Sequence, residues 1–161
     1  MTDDYEFFVE IDQRDESGRP QSLWRRSDME WEYLSLIDWR WHKTSDRVPH
    51  PPELTYLSPI PENVADELSK NRQYWVAYWA AYESPTPDDK DAPYTVLRRR
   101  TSPELVLDEA FGRSNTWIRT STIVEYESQR TSNPPNLVRI DASTADKILR
   151  DTRGATNATQ L

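Results

Sequence analysis

The sequence predicts an α+β protein made of two related β-rich halves that share one core, with a long helix packed on an antiparallel or mixed sheet. Three observations carry this expectation. Residues 30–42 alternate with a period of two, and Trp31, Tyr33, Ser35, Ile37, Trp39 and Trp41 share one face. From Pro59 to Glu83, Val64, Leu68, Trp75, Trp79 and Tyr82 recur at spacings that form one helical stripe. The same order of patterns then comes twice: strand, long strand, Pro loop, short strand, helix.

The elements follow in order. Tyr5, Phe7, Val9 and Ile11 alternate as a first strand. Residues 15–20 carry turn chemistry, and Leu23-Trp24-Arg25-Arg26 is the return strand of a hairpin. Ser27-Asp28-Met29 turns the chain into residues 30–42, the central strand. Pro49, Pro51 and Pro52 make 43–53 a surface crossing. Leu54–Leu57 is a short strand, and Ser58 with Pro59 opens the long helix. These elements form an acidic first half, 1–83, and a Pro/Asp linker at 84–93 follows.

The second half, 94–153, opens with the strand 94–100. Ser102-Pro103-Glu104 reads as a helix start closed by Gly112, and 116–127 as a long strand rich in Thr, Ile and Val. Residues 129–135 form a loop and 137–140 a strand. Asp141 caps a last helix whose buried stripe is Ala145, Ile148 and Leu149, and Gly154 ends it. Residues 154–161 are expected as a flexible tail.

The repeat rests on particular residues. Leu23–Arg26 answers Val96–Arg99; Trp31, Ser35 and Ile37 answer Trp117, Ser121 and Ile123; Pro51–Leu54 answers Pro134–Leu137. In the second copy Glu125 and Glu127 stand where the first has Trp39 and Trp41.

Composition bounds the function. Mean hydropathy is −0.92, yet seven Trp, eight Tyr and three Phe can supply a core, since each aromatic buries roughly 150–250 Å². Residues 1–83 hold 17 acidic and 9 basic residues, while 84–161 hold 11 of each. That balance argues against direct nucleic-acid or anionic-membrane binding. Without Cys there is no disulfide or thiolate metal site, and His42 and His50 are the only histidines. The three Gly are scattered, so no phosphate-cradling loop exists. Neither metal nor cofactor is expected. No apolar run approaches a membrane span, which makes the cytoplasm the default compartment. Arg outnumbers Lys by 16 to 4, as in GC-rich bacterial coding.

One segment resembles a family. Tyr94-Thr95-Val96-Leu97-Arg98, Ser102-Pro103-Glu104 and Ala110-Phe111, with Thr120-Ser121-Thr122 and Glu125-x-Glu127, resemble the strand Arg, helix start, Ser-Thr-Ser and Glu-x-Glu of bacterial ADP-ribosyltransferases. The resemblance implies an NAD-using enzyme with Arg98, Glu125 and Glu127 as its site. The chain departs from that family in placing the last two motifs on one short strand, with no long segment between them to shape a nicotinamide pocket.

The leading expectation is therefore a non-enzymatic protein-binding module of the immunity, inhibitor or accessory-subunit type, its partner another protein. Tyr74 and Tyr78, on one flank of the long helix, are the expected interaction residues, because a phenol keeps its hydroxyl in water while its ring contacts a partner. The alternatives are the Arg98/Glu125/Glu127 enzyme and an acidic nucleic-acid mimic built on the first half.

Overall fold

The computed structural model describes residues 4–13, 19–44, 51–128 and 135–161. It shows an α+β architecture of two antiparallel five-stranded sheets with three α-helices. The chain divides into two compact units, one of residues 1–75 and 101–106, the other of 76–100 and 107–161. The loops expected at 15–18, 45–50 and 129–134 lie outside the described residues.

In the first unit, β1 (Glu6–Ile11), β2 (Pro20–Ser27), β3 (Glu30–Leu34) and β4 (Trp41–Lys43) run as a meander. A 3₁₀ turn, Leu54–Tyr56, leads to β5 (Leu57–Ile60), which pairs with β1, so the strand order is β4-β3-β2-β1-β5. The helix α1 (Glu62–Lys70) then covers one sheet face. Ala65 and Leu68 meet Val9, Leu23, Leu34 and Leu36 there, with Trp75 closing the cluster. The opposite face carries Trp24, Tyr33 and Leu57, flanked by Phe8 and Trp31.

The single strand expected at 30–42 is two strands. Trp39 N–H donates to Ser35 O at 2.9 Å, Ser35 N–H donates to Arg40 O at 2.9 Å, and Trp39 takes φ +62°. Asp38 accepts from Arg40 N–H at 3.1 Å. The loop is closed by the short polar side chains that favour turns, and Leu36 at its tip is buried in the core.

The helix expected over 59–83 stops at Lys70. Ser58 and Pro59 belong to the edge strand β5, where proline breaks no interior ladder. After a 3₁₀ turn, Arg72–Trp75, residues Val76–Tyr82 form β6. Val76 and Tyr78 join one buried cluster; Trp79 and Ala81 join another. A strand buried on both faces loses its polar alternation, and the alanines complete the imitation of a helix.

The second unit continues with β7 (Thr95–Ser102), β8 (Leu105–Phe111) and β9 (Trp117–Arg119), then α2 (Thr122–Ser128), β10 (Asn136–Ile140) and α3 (Ala142–Arg153). Its strand order is β10-β6-β7-β8-β9. The helix expected over 102–112 is the strand β8. Its acids hid the pattern, because Asp108 and Glu109 point to opposite faces and each meets an arginine of β7. The long strand expected at 116–127 ends at Arg119. Thr122 N–H donates to Thr120 Oγ1 at 3.2 Å, and Glu125 N–H to Ser121 O at 3.0 Å, starting α2 despite its β-branched residues.

The last helix lies where its punctuation placed it. Asp141 accepts from Thr144 N–H at 2.7 Å, and Gly154 at φ +65° terminates it. Residues 154–161, expected as a flexible tail, pack: Thr159 is buried and donates to Asp146 at 2.7 Å, and Trp117 Nε1–H donates to Ala158 O at 2.8 Å. No helix among the described residues is long and apolar enough to cross a membrane.

Candidate functional site

The residues singled out in the sequence do not assemble as expected. Arg98 is buried, pairs with Glu109 at 2.8 Å, and lies 4.2 Å from the centre of the Trp117 ring. Arg99 is the arginine that meets Glu127, at 2.8 Å, while Asp108 binds its Nε at 2.7 Å. Those carboxylates hold the Arg99 guanidinium above its usual pKa, chiefly through the hydrogen bonds it donates to Asp108. Glu125, on α2, accepts from Ser121 Oγ at 2.6 Å. The ADP-ribosyltransferase-like set is thus divided among separate structural pairs, and its Ser102-Pro103-Glu104 is a hairpin tip rather than a helix start.

Tyr74 and Tyr78 share no helix flank. Tyr78 is only 1% exposed. Arg19 covers Tyr74, 4.7 Å over its ring, and donates to its carbonyl oxygen. Tyr74 also meets Trp75 edge-on.

The structure instead forms an open cleft of about 400 Å³ in the first unit. Pairing along β1 and β2 shifts at Glu10/Ile11, leaving Gln21 as an extra residue in β2. Such a bulge re-aims side chains at a strand end, and Gln21 lines the cleft beside Glu10 and Asp12. Tyr56 enters from the 3₁₀ turn, and Ser22 and Ser102 add hydroxyls.

A hydrogen-bond chain fixes this wall. Trp24 Nε1–H donates to Ser22 Oγ at 2.7 Å, and Ser22 Oγ–H donates to Glu10 Oε2 at 2.6 Å. On the other side Ser102 accepts from Leu36 N–H at 3.0 Å and donates to Glu104 at 2.5 Å. Each serine proton therefore rests on a carboxylate, and the cleft offers acceptor oxygens. No Lys or Arg lines it among the described residues. An anionic, acceptor-rich wall binds hydrogen-bond donors and cations.

In the sequence each of these residues looks ordinary alone. The available signal was a carboxylate, Glu10, set among the apolar residues of a strand, with Ser22 opposite it across the hairpin.

Fold and site together define an α+β protein with an acidic cleft. No protein-family model, curated protein or solved structure matches the chain.

Proposed function

We propose that the chain is a non-enzymatic protein-binding module, of the immunity, inhibitor or accessory-subunit type, whose first-unit cleft receives a basic segment of a protein partner. The carrying observation is the acceptor-lined wall of Glu10, Asp12, Gln21 and Ser22 in a unit with 17 acidic against 9 basic residues. Arg98 and Arg99 support the same reading, since their guanidinium groups are engaged inside the fold. Glu6, Glu30 and Glu32 pair with Arg26, Lys43 and Arg25, which removes them from the row of bare carboxylates a nucleic-acid mimic needs.

A duplicated unit belongs to this reading. Matching β1–β5 and α1 to β6–β10 and α3 makes the two strand orders the same. Arg25 on β2 pairs with Glu32 on β3 and lies 4.4 Å over Trp41 of β4. Arg98 on β7 pairs with Glu109 on β8 and lies 4.2 Å over Trp117 of β9. Trp117 then answers Trp41 rather than Trp31, because β9 stands fourth in its unit.

The test is affinity capture from the native cell extract, with the wild type beside Glu10→Gln/Asp12→Asn. Partners of high isoelectric point should elute as salt rises, and the folded double variant should lose them. Equal retention by a double variant of unchanged melting temperature sinks the proposal.

A further inference from the structure

The second unit has a cleft of about 480 Å³ at the end of its sheet. Tyr82 is the last residue of β6, and Tyr94 stands just before β7 with its N–H on Ala81 O at 2.9 Å. Glu83 follows Tyr82, its carbonyl held by Asn136 Nδ2 at 3.2 Å. Thr122 and Glu125 of α2, with Pro135 and Asn136, complete the lining. Two tyrosines and two glutamates thus line one concavity, and no Lys or Arg lines it among the described residues. Burial, aided by the Glu83 charge, raises the Tyr94 pKa above its ordinary value.

What such a set holds can be read from the chain's own arginines. Arg25 lies between Tyr5 and Trp41, at 4.1 and 4.4 Å, and pairs with Glu32. Arg26 lies over Phe8 and Trp31 and pairs with Glu6. Arg98 has Trp117 and Glu109; Arg99 has Trp79, Asp108 and Glu127. Four times, a guanidinium takes one or more aromatic rings and a carboxylate together. The physical reason is that the ring face attracts the flat cation while the carboxylate satisfies its N–H fork.

We infer that the Tyr82/Tyr94/Glu83/Glu125 cleft binds the guanidinium of an arginine side chain presented by a partner protein. An arginine satisfies both kinds of wall at once, whereas a lysine ammonium lacks the flat face and the fork. Opening to solvent at a strand end suits a side chain projecting from another polypeptide. This cleft and the Glu10 cleft use different residues, so variants of one leave the other intact and either assignment can fail alone.

The experiment is an NMR titration of the full chain with Nα-acetyl-arginine methylamide, with Nα-acetyl-lysine methylamide and free arginine as comparators. Resonances of Tyr82, Tyr94 and Glu125 should shift and saturate with the blocked arginine, and its affinity should fall roughly fivefold or more in Glu125→Gln and in Tyr94→Leu. Glu10→Gln should leave the titration unchanged. Shifts that never saturate overturn the assignment, as do equal affinities for the arginine and lysine probes or for wild type and folded variants. Tighter binding of free arginine than of the blocked probe would reject a protein side chain as the ligand.

Discussion

Glu109 Oε2 accepts from Arg98 Nε at 2.8 Å, and the same oxygen lies 3.7 Å from Arg100. One carboxylate of β8 therefore serves two arginines on one face of β7, while Trp117 stacks against the first. Glu109 and both arginines are largely shielded from water, so this is a buried network rather than a surface ion pair.

Removing the shared carboxylate should be costly. Glu109→Ala removes the carboxylate that Arg98 donates to and that Arg100 approaches, and the expected loss is roughly 3–5 kcal/mol. Asp66→Ala breaks the exposed pair with Lys70 and should cost less than about 1 kcal/mol. Urea denaturation of both variants checks the contrast; equal losses would place Glu109 at the surface.

Tyr78 and Tyr74 should separate in the same way. Tyr78→Ala empties a site 1% exposed and should destabilise by roughly 3–5 kcal/mol, the range for a buried aromatic. Tyr74→Ala removes a half-buried ring capped by Arg19 and should cost less. Denaturant midpoints decide it, and a mild Tyr78→Ala would contradict β6 as a strand buried on both faces.

The cap of α3 should be visible as a pH effect. Hydrogen bonding to Thr144, first through its backbone N–H, lowers the Asp141 pKa. A carboxylate lowered in the folded state stabilises fully above its ordinary pKa, and that contribution disappears as pH falls through the lowered value. Asp141→Ala should therefore lower the melting temperature at neutral pH, with the difference from wild type narrowing in strong acid. A difference independent of pH would mean that the charge plays no part.

Gly154 should be sensitive to backbone conformation alone. A Cβ there meets nothing within 4 Å, but φ is +65°. Gly154→Ala should cost roughly 1–2 kcal/mol from left-handed strain, and Gly154→Asn less. Similar stability of all three proteins would argue against the left-handed cap.

Local chemistry was legible at α3, at β1 and at the turn from β2 to β3, but not at Ser58-Pro59 or Ser102-Pro103-Glu104, where cap-like residues sit in a strand and at a hairpin tip. Asp141 and Gly154 delimited α3, alternation placed β1, and the Asp28-Met29 turn joined β2 to β3. Periodicity failed where burial was two-sided or where charge was internal. β6 is apolar on both faces, and β8 carries acids that are neutralised across the sheet. Neither condition can be seen in one segment, because each depends on which strand lies beside it.

The candidate sites divide along the same line. The sequence by itself determined an acidic first half, a surplus of aromatics and arginines, an α+β chain and the ends of its last helix, since these follow from composition and from contacts a few residues apart. Only the tertiary structure decided that Arg98 belongs to Glu109 and Arg99 to Glu127, that Tyr78 is core, and that Glu10 shares a cleft with Ser102. Those pairings join residues that are not chain neighbours, and strand register, together with the placement of α2 and of the hairpin tip, selects among many arginines and carboxylates which ones meet.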